Sequence, residues 1–456
     1  MTVGDDTDLV TRAEFEPTKT SPPTTLTQAY RYALDPTPDQ ANLLRSHIGA
    51  TRFAYNALLG LVKVNWDENR TRKETGEDVA KEDYLGTSHF DLQRLWYERR
   101  AELAPWWGEN NSSSYNYACL NLSKAFANWR RGQARFPTFK RRGSKATVSL
   151  MPGAVKLTDS HHVRISRVGV VKSYESTRKM HRHLERDTGR ILSATVSEVG
   201  GKFFISFTLE VVRSIPATRA PEKVIGVDVG ISTLYTGATP NGEQVLMVEN
   251  PRHFVRAEKR LAHTQRVASR RQGPGPGQAP SKRWRKANSR VQKIHAEIAN
   301  SRKNLINETT TRLAKNYDLI VIEDLNVTGI LKNHSLAKHI SDAAWGEFRR
   351  QLEYKTTWYG SALIIADRFY ASSKTCSHCG AVKAKLSLDE RMFHCEACGL
   401  TIDRDVNAAI NLARLGLPGT SSGTGRGGEV RPEHQILNAT AHPDEASTET
   451  LTLVSA

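Results

Sequence analysis

The sequence predicts a multidomain chain: a β domain interrupted by helices, then an α/β domain on a mixed sheet, with a small cysteine-bearing module near the end. Three observations predict it. Between residues 146 and 213, short β-branched segments bounded by turns follow one another, the pattern of a small barrel or curled sheet. From residue 222, three strand patterns in a meander give way to alternating helix and strand, which describes a mixed sheet covered by helices. Finally, Cys376 and Cys379 form one close pair and Cys395 and Cys398 another, with fifteen residues between the pairs.

The elements follow in order. Residues 26–36 (LTQAYRYALDP) alternate as a strand does. Thr37, Pro38 and Gln40 then make a helix start, with a capping hydroxyl, a proline at the first helical position and a glutamine three residues after the cap. Leu44, Ile48, Ala54, Leu58, Leu61 and Val62 continue at helical spacing, so the helix is expected from 38 to about 66. Helical patterns recur at 88–103 and 114–130, placing a helical block between the first strand and the others. Trp106-Trp107 is read as packing, and Cys119 as a small buried residue. His181 and His183 are separated by an arginine and lack a supporting tyrosine, so neither is assigned a catalytic role.

In the second half, EKVIGVDVG, TLYTGATP and EQVLMVE read as strands, the last two joined by Asn241-Gly242, the strongest short hairpin signal. Val291, Ile294, Ile298, Leu305, Ile306 and Leu313 share one face of a long helix leading into the strand YDLIVIED. A helix from about Asp342 to Tyr359 and the strand ALIIADRFY complete the alternation.

Two of these strands carry acids where apolar residues are expected: Asp228 in VIGVDVG and Glu323 in LIVIEDL. An ionised carboxylate there costs several kcal/mol unless a cation or hydrogen bonds compensate. Adjacent strands would bring both within reach of a shared divalent ion, and Asp405 in IDRDVNAAINLARL is the candidate third ligand. Asp324 is read as a turn residue and Asp403 as a helix cap. Oxygen ligands without His or Cys favour Mg²⁺ or Mn²⁺, and two such ions ~4 Å apart can activate water against a phosphodiester.

The cysteine spacing lets two knuckles supply four thiolates to one tetrahedral Zn²⁺, with iron in the same geometry as the alternative. With all four positions filled the site is structural, and His378 and His394 are bystanders.

Charge points to the partner. The chain has 65 Lys+Arg against 48 Asp+Glu in 456 residues, a net +17. Residues 1–25 and 416–456 are each acidic at −3 and rich in Thr, Ser, Gly and Pro, and are expected to be disordered, so residues 26–415 carry +23. Residues 252–303 alone hold +13, including Arg270, Arg271, Lys282, Arg283, Arg285, Lys286 and Arg290 around a GPGPG loop. A second basic stretch holds Arg130, Arg131, Lys140, Arg141 and Arg142, with Trp129, Phe136 and Phe139 interleaved. Phosphate contacts need this sign, so both stretches are nucleic-acid-binding candidates. No apolar run reaches the ~18 to 20 residues of a membrane span. The acidic first 25 residues lack the apolar core of a secretory signal, so a cytoplasmic protein is expected.

In order along the chain, GVDVGIST, VIEDLNVTGI, CSHCG to CEACG and DRDVNAAINL resemble the split nuclease core and zinc ribbon of the TnpB (OrfB) family of transposon-encoded RNA-guided nucleases. YRYALDPTPDQ through GATRFAYN and FPTFKRR extend the likeness, as does the stretch with Leu336, Asp342, Trp345, Phe348, Tyr354 and Lys355. The resemblance implies a wedge-type β barrel over 26–37 and 131–221, a helical recognition insertion over 38–130, an RNase H-like (RuvC) nuclease domain over 222–372 and 400–415, and a zinc ribbon over 373–399. It also implies that Asp228, Glu323 and Asp405 are the catalytic acids, and that the cofactors are two Mg²⁺, one structural Zn²⁺ and a guide RNA transcribed from the transposon end. The substrate would be double-stranded DNA beside a short adjacent motif, cut in a prokaryotic cytoplasm by a protein that is nucleoid-associated when bound. A compact type V CRISPR effector and a nuclease-inactive RNA-guided regulator are the alternatives. Monomer and dimer both remain open.

Overall fold

The computed structural model describes residues 24–141, 146–215, 221–275, 278–387 and 390–417. Almost all of both expected tails, Arg142, and Pro276 and Gly277 of the GPGPG loop lie outside them. Contacts divide the chain into two compact units, one of Thr25–Arg213 with Lys259–Glu297, the other built on Ser214–Glu258 and the described part of Ile298–His442. The basic segment therefore clusters largely with the first unit and not with the sequence that flanks it.

The first unit opens with strand β1 (Thr24–Asp35) and helix α1 (Pro38–Glu74). The cap is as expected: Gln40 N donates to Thr37 Oγ1 at 3.3 Å, and Thr37 N to Gln40 Oε1 at 3.0 Å. The helix runs well beyond residue 66, through a polar stretch with no apolar stripe to reveal it. Tertiary contacts hold that stretch: Trp66 packs edge-on to Phe136, and Asn69 Nδ2 donates to Asp83 O at 2.8 Å. Helices α2 (His89–Leu103) and α3 (Ser112–Arg130) complete a block whose core includes Ala54, Leu58, Leu92, Trp96, Leu122 and Phe126. Trp106 packs on Phe53, and the Arg100 guanidinium lies 3.7 Å from the Trp107 ring centroid. Cys119 is buried, and burial pushes its thiol up to about 12.

Strands β2 (Ala146–Leu150), β3 (Val155–Leu157), β4 (His162–Ile165), β5 (Gly169–Ser173), β6 (Gly189–Val199) and β7 (Lys202–Arg213) join β1 in a seven-stranded sheet ordered β2-β6-β7-β1-β5-β4-β3. All seven contribute to one hydrophobic core, so the sheet curls around it. Along β7 every second residue from Phe203 to Val211 is buried, the period of a one-faced strand. Because β1 is the central strand, α1–α3 are an insertion between it and the rest of the sheet. Helix α4 (Arg178–Glu185) is not foreseen by the sequence reading: its one buried residue is Met180.

In the second unit, β8 (Val224–Val229), β9 (Thr233–Ala238) and β10 (Gln244–Glu249) form the expected antiparallel meander. Gly242 takes φ +94° in the last turn, a conformation that suits glycine. Along the chain, helices α5 (His253–Ser269) and α6 (Lys282–Asn316) follow, of which residues 259–297 cluster with the first unit, and then β11 (Leu319–Glu323). On α6, Ile294, Ile298, Ile306 and Leu313 are buried as predicted. Helix α7 (Val327–Ile330) is a single turn.

The helix expected from Asp342 to Tyr359 is two: α8 (His334–Ala343) and α9 (Trp345–Tyr359). Ala344 between them has φ +52°. Asp342 on the last turn of α8 is buried, accepting from Phe254 N at 3.0 Å and Arg302 Nη2 at 2.7 Å. It thereby satisfies a free amide in the first turn of α5. On α9, buried Lys355 donates to Asn307, Thr310, Thr311 and Gln351 at 2.7–3.0 Å, and burial lowers it to about 8.

Strand β12 (Ala362–Ala366) closes a five-stranded sheet ordered β10-β9-β8-β11-β12, with β8, β11 and β12 parallel. The hairpin β13 (Met392–His394) and β14 (Thr401–Asp403) spans the 399/400 boundary drawn from the sequence and runs directly into α10 (Arg404–Leu415). Helix α10 lies so close to β8 that a Cβ on Gly226 would fall 2.1 Å from Ala409 O. Gly226→Ala is therefore expected to push α10 off the sheet, costing about 1–3 kcal/mol, and to displace Asp405. Urea unfolding of the variant checks the first effect and its cleavage rate the second. Among the described residues no helix is long and apolar enough to cross a membrane.

Candidate functional site

The register builds the acidic site. Val227 pairs with Ile322 on parallel strands. Asp228 and Glu323, one residue further on, therefore lie at the same level of adjacent strands, ~4.8 Å apart in the sheet. Both are at the carboxyl ends of β8 and β11, where open α/β sheets bind ligands. Asp405 arrives from α10, whose cap is Asp403: its Oδ1 accepts from Asp405 N at 2.9 Å and Val406 N at 3.1 Å. Asp403 is thus a cap and Asp405 its neighbour in the first turn, as read from the sequence. The structure brings all three predicted acids together.

Their electrostatics agree. Burial, then the charges of Glu323 and Asp405, hold the Asp228 carboxyl well above its ordinary range, with Arg404 opposing. Burial also raises Glu323, against a hydrogen bond that the Ser372 hydroxyl donates to its Oε1. The Arg404 guanidinium lies on Asp405 Oδ1, with Nε and Nη2 each at 3.3 Å. Asp324 turns away into an ion pair with Arg349 and Arg368, each at 2.7 Å, and belongs to the turn. Beside Glu323 opens a cleft of ≈ 180 Å³ walled by Ala366, Asp367, Arg368, Tyr370 and Ser372.

Among the described residues, the four cysteines are the one group of three or more metal-ligating side chains whose donor atoms all lie within 4.8 Å of one another. The three carboxylates, whose mutual charge helps raise Asp228, are hard oxygen donors of the kind a divalent cation would take. Sulfur separations are 3.6 Å for Cys376–Cys398 and for Cys379–Cys395. Zinc–sulfur bonds of ~2.3 Å in a tetrahedron give edges of about 3.8 Å, so the group fits zinc. The two knuckles repeat one pattern: Gly380 N donates to Cys376 O and Gly399 N to Cys395 O, each at 2.9 Å, with both glycines near φ +75°. His378 and His394 are exposed, and His394 Nδ1 lies 2.9 Å from Thr401 Oγ1; neither belongs to the cluster.

The predicted basic contacts divide by environment. Arg130, Arg131, Arg141, Arg270, Arg271, Lys282, Arg283, Arg285, Lys286 and Arg290 are exposed. Lys140 is different: half-buried, its ammonium sits 4.0 Å from the Tyr55 ring centroid, and burial lowers its pKa. Arg142 is outside the described residues.

Sequence reasoning missed Ser372, Asn407 and Asn411. The amide of Asn407 donates to Thr375 O at 2.7 Å and accepts from Ser377 N at 2.9 Å. Asn411 donates to Ser372 O at 2.8 Å. The available signal was two asparagines four apart on the apolar face of DVNAAINLARL, where buried amides demand partners.

The fold and the sequence have known relatives. The fold is the multidomain α/β fold of a Cas12f1 complex with guide RNA and target DNA, matched at a TM-score of 0.50 and 12% identity over 85% of this chain and 99% of that one. A relative from Streptomyces pristinaespiralis, named "Putative RNA-guided DNA endonuclease", is 34% identical over 90% of this chain and 93% of its own length. InsQ of Escherichia coli, of the same description, is 27% identical over 85% of this chain and 92% of its own. Residues 206–334 match the OrfB_IS605 family, described as "Probable transposase", and 345–412 the Cas12f1-like TNB domain. Residues 26–71 match a family described as a helix-turn-helix domain, although here they form β1 and most of the single helix α1. The chain belongs to the TnpB (OrfB) family of the IS605 type.

Proposed function

We propose that this protein is an RNA-guided DNA endonuclease of the TnpB type that hydrolyses target DNA at Asp228, Glu323 and Asp405. The observation that carries the reading is the meeting of these carboxylates at the ends of β8 and β11 and the start of α10, in a chain of this family. The second unit is read as an RNase H-like (RuvC) domain and the curled sheet as the wedge domain, with α1–α3 as the recognition insertion. The cysteine module is read as a zinc ribbon holding one structural Zn²⁺.

The three acids would hold two Mg²⁺. Bound there, the ions supply Lewis-acid stabilisation of the scissile phosphate and a water made nucleophilic near neutral pH. Asp228 and Glu323 fix the shared side of the site because rigid neighbouring strands carry them. Asp405 closes it from a capped helix terminus, with Arg404 restraining its carboxylate. The exposed bases of 270–290 and 130–141 supply the charge to hold a guide RNA and its DNA hybrid, recognised by backbone shape while base pairing reads sequence and the protein reads a short adjacent motif. The full-length relatives favour TnpB over a type V effector, since the Cas12f1 relative is 25% identical over 43% of this chain.

The test is to purify the protein with its RNA, sequence that RNA, and supply a plasmid carrying the matching target. Mg²⁺-dependent linearisation abolished by EDTA is the expected result. An RNA-loaded protein that binds the target and leaves it uncut with both Mg²⁺ and Mn²⁺ would reject the reading.

A further inference from the structure

We propose that Ser372 is a positioning residue for Glu323, held in place by buried amides of α10 that also grip the first cysteine knuckle. The inference rests on Glu323 being a metal-binding acid and adds how its carboxylate is aimed.

Ser372 is 3% exposed, and its hydroxyl donates to Glu323 Oε1. It stands four residues before Cys376, in a segment that α10 grips repeatedly. Asn411 Nδ2 donates to Ser372 O at 2.8 Å and to Thr375 O at 2.6 Å. Asn407 Nδ2 donates to the same Thr375 carbonyl at 2.7 Å, and its Oδ1 accepts from Ser377 N, inside the knuckle, at 2.9 Å. Arg414 Nη1 donates to Ser377 O. Residues 407 and 411 lie one turn apart on one face of α10, the helix that begins beside Asp405. One rigid element thus carries the third acid, anchors the knuckle, and fixes the serine that touches the second acid.

The chemistry suits a hydroxyl. Glu323 is sunk at a strand end beside another carboxylate, so a neutral donor on one oxygen favours its ionised form. With Oε1 engaged, its remaining lone pairs stay available to a cation in a fixed orientation. Partners that orient a metal ligand in this way typically contribute 10- to 100-fold in metal affinity or activity, by about that order. A purely structural serine would instead affect folding and leave the metal response alone.

The experiment uses the full-length, RNA-loaded protein as wild type, Ser372→Ala and Ser372→Thr. Mn²⁺ affinity is read from the electron paramagnetic resonance signal of the free ion, beside the Mg²⁺ concentration for half-maximal cleavage, zinc content and target binding. Ser372→Ala should weaken Mn²⁺ binding and raise the Mg²⁺ requirement by about 10- to 100-fold, with zinc content and target binding as in wild type. Ser372→Thr, which keeps the hydroxyl, should recover most of both. Unchanged Mn²⁺ affinity in Ser372→Ala overturns the inference, as does loss of zinc without recovery in Ser372→Thr. A wild type that binds no Mn²⁺ and does not cut would remove Glu323 as a metal ligand, and the inference with it.

Discussion

Asp228→Asn is expected to lower target cleavage by the RNA-loaded protein by about 10³-fold or more, the loss of several kcal/mol of metal-borne stabilisation, while leaving target binding intact. The same substitution should stabilise the metal-free protein. Burial and the neighbouring Glu323 and Asp405 hold the Asp228 carboxyl well above its ordinary range. The folded state therefore holds this proton more tightly than the unfolded chain does. Stability falls as pH rises from about 4, the unfolded value, through the raised folded value. An amide removes that loss, so at pH 7 in EDTA the variant should gain about 1–3 kcal/mol in denaturant unfolding, the scale of relieving an uncompensated buried polar group. The gain should vanish below about pH 4, where the carboxyl is neutral in both states. Retained cleavage in Asp228→Asn would remove this residue from the catalytic set. Equal stability of the two proteins at pH 7 would show that the carboxylate is already compensated.

Loss of a Zn²⁺ held by the four cysteines is expected to lower cleavage as well, by another route. The core around Cys376, Phe393 and Cys395 is small, with Ala381, Leu386, Leu400 and Ile402 packed against it. Such modules draw their folding energy from zinc, with apparent binding energies of about 10–16 kcal/mol in zinc-finger peptides. Cys395→Ser, or exhaustive chelation, is expected to abolish zinc by elemental analysis and to raise amide exchange across residues 372–403. Cleavage should fall about 10²-fold or more, because the disordered knuckle no longer supports Ser372 beside Glu323. Full cleavage by metal-free protein with rapid exchange in the ribbon would show that the module acts independently of the acids.

The two results would test different parts of one centre. Asp228 is a direct ligand candidate, whereas the cysteines stand outside the acidic site and reach it through α10. Their effects should therefore differ at the level of DNA binding: intact for Asp228→Asn, with the ribbon's own contribution exposed by Cys395→Ser.

Much of the centre was legible because its signals are local. A carboxylate inside VIGVDVG or LIVIEDL conflicts with its apolar strand, so the conflict marks a site. Two Cys-x-x-Cys knuckles with glycines behind them announce their geometry in five residues each. The Thr37–Gln40 cap and the Asn241-Gly242 turn are likewise decided by neighbours a few residues apart. The strand patterns in order also carried the architecture, because period-2 burial is written in the side chains themselves.

What stayed hidden depends on residues far apart in the chain. Helix α1 continues past 66 because Asn69 and Trp66 find partners across the block, although nothing in DENRTRKE is apolar. The break at Ala344 accompanies the burial of Asp342 against α5 and Arg302, partners 88 and 40 residues away. Lys140 looked like its basic neighbours and instead lies over Tyr55. Sequence alone determined which carboxylates and thiolates are present and on what kind of element each sits, since composition, period and spacing are properties of the chain. Only the tertiary structure decided that β8 and β11 pair in a register aligning Asp228 with Glu323, that Gly226 lets α10 approach to add Asp405, and that Asn411 brings Ser372 to Glu323. Those choices are contacts between distant segments, fixed by packing and by the need of buried polar groups for partners.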